Sequence, residues 1–212
     1  MTAQQRIDSQ ALLRAIAKKE HIKIPVKKAR KTRYEKNVVT PDELASLIKR
    51  AETPLHANVI RLLYTFCLRC REGLNLRIGD VDLVGRVLTL RNTKTEQLAT
   101  VNIPPSAVDW LAKWMSKRSP EKPLIEGIGY SGIYKMLNRT GKRVGIEKRL
   151  GTHGMRRSRL TNEANTDASP RDLQGLARHK SFSTTEMYIR LAKQRGKVLQ
   201  ENFELPTVGK KK

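Results

Sequence analysis

Acidic residues are scarce in this chain: 20 Asp and Glu stand against 43 Lys and Arg over 212 residues, a formal net charge of +23 at pH 7. A compact body carrying so much like charge repels itself, and a polyanionic partner, nucleic acid above all, relieves the repulsion. Long apolar runs are also missing. Nothing approaches the roughly 20 residues needed to cross a bilayer. The N-terminal MTAQQRIDSQALLRAIAKKE has neither the continuous apolar stretch nor the small-residue cleavage site of a secretory signal. The expectation is a cytoplasmic, nucleoid-associated protein without a membrane partner. Cysteine is limited to Cys67 and Cys70. A zinc site would need two further ligands at suitable spacing, and no second pair exists. Both cysteines sit among Leu62, Leu63, Phe66 and Leu68, which marks them as buried packing residues.

Two motifs of phosphate chemistry are absent as well. No G-x-x-x-x-G-K string is present, and no convergent carboxylates mark a two-metal site. The reading is therefore of a protein with no cofactor. If it acts on phosphodiesters, the charge developing on the phosphoryl group must be met by side chains. Arginine is the best such donor, because its planar fork contacts phosphate bidentately. On charge alone, a protein that merely coats nucleic acid stands level with an enzyme.

Residues 1–36 hold 11 Lys and Arg against 3 Asp and Glu, a local net of +8. A short helix with Ile7, Leu12, Leu13 and Ile16 on one side, then a basic linker around Pro25, read as a DNA-contacting arm, with a disordered solvated tail as the alternative. A folded body starts at Thr40-Pro41-Asp42-Glu43, an N-cap with Pro at the first helical position and Glu placed for a capping box. Helices are expected from Leu55 to Leu68 and from Arg71 to Arg77, ended by Gly79-Asp80-Val81-Asp82. The alternating strings at 86–90 and 98–103 predict a β-hairpin with Lys94 at its tip. Helices then return: one with the stripe Val108, Leu111, Trp114 and Met115, and one capped by Ser131 with Ile133, Met136 and Leu137. A third starts at Ser169-Pro170, a fourth at the capping box Ser183-Thr184-Thr185-Glu186, and an amphipathic piece runs from Leu191 to Phe203. The domains are a basic arm or short helix with linker at 1–36, a folded body at 37–205 and a basic tail at 206–212. The fold class is α+β, mainly α: a helical body with a small antiparallel β-sheet.

The order of the chemically capable residues is specific. Leu68-Arg69-Cys70-Arg71-Glu72, Lys94 on the hairpin turn, and His153-Gly154-Met155-Arg156 come in turn. His179 follows Arg156 by 23 positions, and Tyr188 follows His179 by nine, after Ser183-Thr184-Thr185. This constellation resembles the tyrosine recombinase (phage integrase) family: its first arginine box, strand-turn lysine, H-x-x-R box, second histidine and tyrosine. The likeness covers 40 to about 203, nearly the whole folded part. Cys67 stands where the family usually has Gly, Arg157 where a His is common, and Arg178 where a Gly normally precedes the histidine and fits a tight backbone turn.

The resemblance implies the family's catalytic-domain fold and its chemistry, in which Tyr188 attacks a scissile phosphorus to form a 3′-phosphotyrosyl bond. It implies His153 as general base, Lys94 as general acid, and Arg69, Arg156 and His179 as donors to the phosphate oxygens. Glu72 would support the first arginine. The stretch from Arg139 to Arg159 has 8 Lys or Arg against one acidic residue, Glu147. Arg139, Lys142, Arg143, Lys148, Arg149 and Arg157 are the DNA-binding candidates on it, implying binding that weakens steeply with salt. Some 36 residues precede the body, so the chain resembles short members that lack the full N-terminal core-binding domain, as the fimbrial-switch invertases do, or a remnant of a longer integrase. Double-stranded DNA, a homo-oligomer (tetramer) on it, and an accessory DNA-bending or recombinase partner are the expected partners. The apolar side at Leu191, Val198, Leu199 and Phe203 suits docking on another subunit or on its own body. The implied function is site-specific recombination by integration, excision or inversion. A type IB topoisomerase-like enzyme and a non-cutting regulator derived from a recombinase are the alternatives.

Overall fold

The structure, a computed structural model, describes residues 37–91, 98–166 and 168–189. The arm at 1–36, the hairpin tip with Lys94, the apolar positions from Leu191 to Phe203 and the 206–212 tail lie outside them. Helix α1 (Pro41–Lys49) begins as its sequence dictates: Thr40 Oγ1 accepts from the Glu43 amide at 3.2 Å, and the Glu43 carboxylate accepts from the Thr40 amide at 2.8 Å. Two donors that the first turn would leave orphaned are thereby satisfied.

Helix α2 (Pro54–Thr65) stops three residues before the expected end at Leu68. The cause is Cys67, which takes φ 50°. The Cys67 amide turns back to Tyr64 O at 3.1 Å and the Leu68 amide to Leu63 O at 3.1 Å. That pair of bonds is a Schellman motif, the usual way a left-handed residue closes a helix. Helix α3 (Cys70–Asn75) likewise ends short of Arg77, because a 3-10 turn (Ile78–Asp80) follows. Asp80, 4% exposed, accepts from the Arg77 amide and from Arg91 Nε, tying that turn to the sheet.

The sheet has three strands where sequence patterning showed two: β1 (Val81–Asp82), β2 (Val87–Arg91) and β3 (Leu98–Asn102), antiparallel in that order. With two residues, β1 is too short to show an alternation of period two. Leu88 and Leu90 of β2 point into the core while their neighbours are more open. Helix α4 (Pro105–Met115) packs Leu111 inward, with Val108, Trp114 and Met115 against the core edge. Helix α5 (Tyr130–Arg143) starts one residue ahead of the expected cap: Gly129 is the N-cap and Ser131 lies inside the first turn. Its Ile133, Met136 and Leu137 are buried as their spacing predicts. Helix α6 (Thr152–Ala164) carries few apolar residues yet is largely buried. Its polar groups are consumed internally: Ser158 Oγ accepts from the Val39 amide at 2.8 Å, and Asn162 Nδ2 donates to Val39 O and the Tyr64 hydroxyl. Helix α7 (Pro170–Ala177) has the expected Ser169 cap with Asp172 completing its box. A last helical run occupies 182–189 and starts ahead of Ser183, so the expected capping box there is displaced.

The main core joins α1–α6 and the sheet around Leu47, Ile60, Leu63, Phe66, Leu88 and Leu111. A second, small apolar cluster of Cys67, Leu160, Ala177 and Tyr188 joins the ends of α2 and α7, the middle of α6 and the last helix. The architecture is thus α+β, mainly α. Among the described residues no helix is long and apolar enough to cross a membrane.

Candidate active site

Two helix C-termini meet above the small apolar cluster. Helix α7 ends as α2 does, with a left-handed residue that is not glycine: Arg178 at φ 50°, ψ 42°. The Arg178 amide bonds Gly175 O at 3.0 Å and the His179 amide bonds Gln174 O at 3.2 Å, a second Schellman closure. A β-carbon in that conformation costs about 1 kcal/mol. The last carbonyls of both helices have no partner within their own helix and carry the negative end of the helix dipole, so they attract cations.

Arginine side chains fill that role. Arg156, on α6 and 6% exposed, donates from Nη1 to Cys67 O at 2.6 Å and from Nη2 to Ala177 O. Arg178 donates from Nη1 to Phe66 O and Leu176 O, and from Nη2 to Cys67 O at 3.0 Å. Arg69 stands at the N-cap of α3, with its side chain 46% exposed. Glu72 joins two of the three. Its Oε1 accepts from Arg69 Nη1 at 2.6 Å, and its Oε2 from the Arg69 amide at 2.7 Å and from Arg178 Nη2 at 2.8 Å. Burial pushes the Glu72 carboxyl up, but the Arg178 charge and the Arg69 hydrogen bonds outweigh it and hold the group below its ordinary 4.5.

Glu72 therefore contributes stability that is fully present above pH 4.5 and is lost as pH falls through its lower folded value. Glu43, drawn down by Lys148 and Thr40 against its own burial, adds to the same window. Thermal unfolding followed from neutral pH to pH ~3 should show a flat midpoint that drops in the acid region, with a shallower drop in Glu72→Gln. An unchanged acid slope in that variant would refute this account of Glu72.

His179 follows directly on the α7 turn. Its Nδ1 lies 3.0 Å from the hydroxyl of the buried Thr185, and its ring stacks near Tyr188 with centroids 6.4 Å apart and planes 22° from parallel. Burial, then the charges of Arg156, Arg69 and Arg178, hold the imidazole below its ordinary 6.5, so it is neutral at pH 7. Tyr188 is 9% exposed, its ring set on Cys67, Leu160 and Ala177. The Cys67 thiol is buried and pushed up by that burial, against the pull of Arg156 and Arg178. Cys70 is pushed up to about 11 by burial. Neither thiol is ionised at neutral pH. Among the described residues no cluster of His, Cys, Asp or Glu could hold a metal ion.

The structure thus brings Arg69, Glu72, Arg156, His179 and Tyr188 to one place. His153 stands apart from these bonds, exposed in the first turn of α6. It lines a cleft of about 380 Å³ with Asn37, Tyr134, Arg149 and Arg157. Lys94 lies outside the described residues. Sequence reasoning missed the contribution of Arg178, seen there only as a departure from glycine. It also missed Thr185, taken as part of a capping box. Nothing in composition or periodicity marks either, since both act by where a helix end places them.

The basic candidates divide. Arg139 and Arg143, on α5, pair with Glu52 while their side chains stay 59% and 45% exposed. Lys142 and Arg149 border an open cleft on the same side, and Arg149 lies over the Tyr134 ring at 5.5 Å. Lys148 is held differently: its Nζ donates to Val38 O at 2.6 Å and to Glu43, so it fastens the start of the body to the segment before α6. An ammonium held between a carbonyl and a carboxylate is already neutralised and is a poor phosphate contact.

Comparison with known proteins adds four findings. Residues 37–195 match the model of the phage integrase family. The chain is 28% identical over 170 residues to the tyrosine recombinase XerA of Saccharolobus solfataricus, an alignment taking in 80% of this chain and 57% of that protein. Among solved structures it is similar to a XerA recombinase, with TM-score 0.64 and 26% identity over 79% of this chain and 64% of the other. The catalytic domain of bacteriophage HP1 integrase shares the fold, with TM-score 0.59 and 17% identity over 78% of this chain and 94% of that domain. The chain spans little more than half the length of the XerA protein it matches.

Proposed function

This chain belongs to the phage integrase family, and we propose that it is a site-specific recombinase that cuts and rejoins double-stranded DNA through a covalent bond to Tyr188. The observation that carries the proposal is the convergence of Arg69, Arg156 and His179 beside the Tyr188 ring. Three donors of that kind fit a phosphoryl group that grows more negative as it is attacked.

In the proposed step the Tyr188 oxygen bonds to the scissile phosphorus while the bond from phosphorus to the 5′-oxygen breaks. The family likeness assigns the phenol proton to His153, which lies outside the hydrogen-bonded cluster, and the proton for the leaving 5′-oxygen to Lys94. A phenol has a pKa of about 10, so it needs both a base and an activated phosphate near neutral pH. Arg69 and Arg156 hold the non-bridging oxygens with N–H groups beyond those given to Glu72, Cys67 and Ala177. A Thr185 hydroxyl that donates to His179 Nδ1 leaves Nε2 carrying its proton, the tautomer able to donate to phosphate. Because a phosphodiester is exchanged for a phosphotyrosine, rejoining by the same 5′-hydroxyl needs no external energy source. The exposed forks of Arg139 and Arg143, with Lys142, Arg149 and Arg157, supply contacts along the DNA backbone, and the net charge of +23 supplies the attraction. We take the working form as a homo-oligomer assembled on DNA.

The test is capture of protein on nicked duplexes drawn from the flanks of its own gene, incubated without metal or nucleotide and separated under denaturing conditions. The expected result is a protein–DNA adduct together with a released strand bearing a 5′-hydroxyl. Tight, salt-sensitive binding with no adduct on any duplex would instead favour a non-cutting regulator.

A further inference from the structure

The two positions where this chain replaces a family glycine face each other across the arginine cluster. Cys67 and Arg178 each hold φ 50° at a helix end, and the Arg178 fork donates to the Cys67 carbonyl. Arg178 directs its terminal nitrogens inward: Nη1 to Phe66 O at 3.2 Å and Leu176 O at 3.3 Å, Nη2 to Cys67 O at 3.0 Å and Glu72 Oε2 at 2.8 Å. Those four acceptors match the four N–H bonds on the terminal nitrogens of a guanidinium. This side chain is therefore committed to protein, and its acceptors are the groups that orient the other two arginines. Glu72 holds the Arg69 fork and amide, and Cys67 O holds Arg156 Nη1.

We propose that Arg178 is a positioning residue, which occupies Glu72 Oε2 and the Cys67 carbonyl and thereby sets how Arg69 and Arg156 present their remaining donors to a DNA phosphate. With Oε2 shared between the Arg69 amide and Arg178, Arg69 meets the carboxylate through one fork nitrogen only. Without Arg178, Glu72 draws Arg69 into a bidentate pair, the favoured geometry for arginine and carboxylate, and withdraws its donors from phosphate. Glycine at 178 would form the same turn without this restraint. In this chain the residue that makes the turn also supplies it.

The inference rests on the strand-cutting reading above, and its test uses the duplex on which the wild-type chain forms an adduct. Arg178→Gly and Arg178→Lys would be compared with wild type for DNA affinity and for single-turnover cleavage at saturating DNA. Both should bind within about twofold of wild type yet cleave roughly tenfold or more slowly. Arg178→Lys keeps the charge and the turn but not the fork, so it reads the restraint even where the glycine variant folds poorly. Glu72→Gln should show a similar loss, and Arg178→Gly with Glu72→Gln should cleave no more slowly than the weaker single variant, because both act through one contact. A wild-type cleavage rate in either Arg178 variant, or losses that multiply in the double variant, would overturn the proposal. Failure of wild type to form any adduct sinks the strand-cutting reading instead, so the two failures are distinguishable.

Discussion

Replacing Tyr188 by Phe should abolish the covalent protein–DNA adduct and lower strand cleavage on the order of 10⁴-fold or more, the scale of loss when a nucleophile is removed. The substitution deletes one oxygen. The ring keeps its seat on Cys67, Leu160 and Ala177 and its stacking on His179, so the fold should hold. Loss of the hydroxyl from a residue that is 9% exposed should change stability by about 1 kcal/mol. DNA affinity should stay within about threefold, because phosphate contacts come from the cations. These readouts separate the roles. Binding measured by mobility shift and stability measured by thermal unfolding should match wild type, while the adduct band disappears. An adduct that persists in Tyr188→Phe would place the nucleophile on another residue.

Much of this site was legible in the sequence because family spacing encodes which residues converge. The 23-residue interval from Arg156 to His179 spans the rest of α6, the turn and all of α7. Helix starts were legible where a Thr or Ser N-cap has Pro and an acidic residue behind it, a signal that acts within four residues, as at Thr40 and Ser169, and not at Ser131 or Ser183, where the helix begins ahead of the expected cap. Helix ends were not. At both Cys67 and Arg178 a non-glycine residue takes the left-handed position, so the expected stop signal is absent and tertiary bonds decide. For the same reason α2 looked three residues longer than it is. Helix α6 was silent in its periodicity, since its buried face adds Thr152, Arg156, Ser158 and Thr161 to only two larger apolar side chains, Met155 and Leu160. Its burial is tolerated because each of Ser158, Asn162 and Arg156 finds a partner far away in the chain. Such pairings are a property of the assembled fold and leave no local trace.

Arg156 should be the most costly arginine to replace, because it serves the fold and the phosphate with the same fork. Arg156→Ala leaves Ala177 O without the donor that now reaches it, and Cys67 O with Arg178 Nη2 alone, in a place where water has little access. An orphaned buried acceptor costs about 1–3 kcal/mol, so a net destabilisation of about 1–3 kcal/mol is expected. Relief from burying a cation, which already draws the Arg156 pKa down, offsets part of that loss. Cleavage at saturating DNA should fall by about 10²–10³, the scale seen when one donor to a developing oxyanion is removed. Arg156→Lys separates the two roles. It restores a positive charge, so DNA affinity should stay near wild type and stability should recover in part. A lysine ammonium is a point charge on a flexible stem and cannot span two carbonyls while also reaching a phosphate oxygen. Its cleavage rate should therefore stay close to that of Arg156→Ala, about 10²-fold or more below wild type. If Arg156→Lys instead cleaved within tenfold of wild type, charge alone would suffice at this position, and the carbonyls of two helix ends would be holding Arg156 for stability rather than aiming its fork at the DNA.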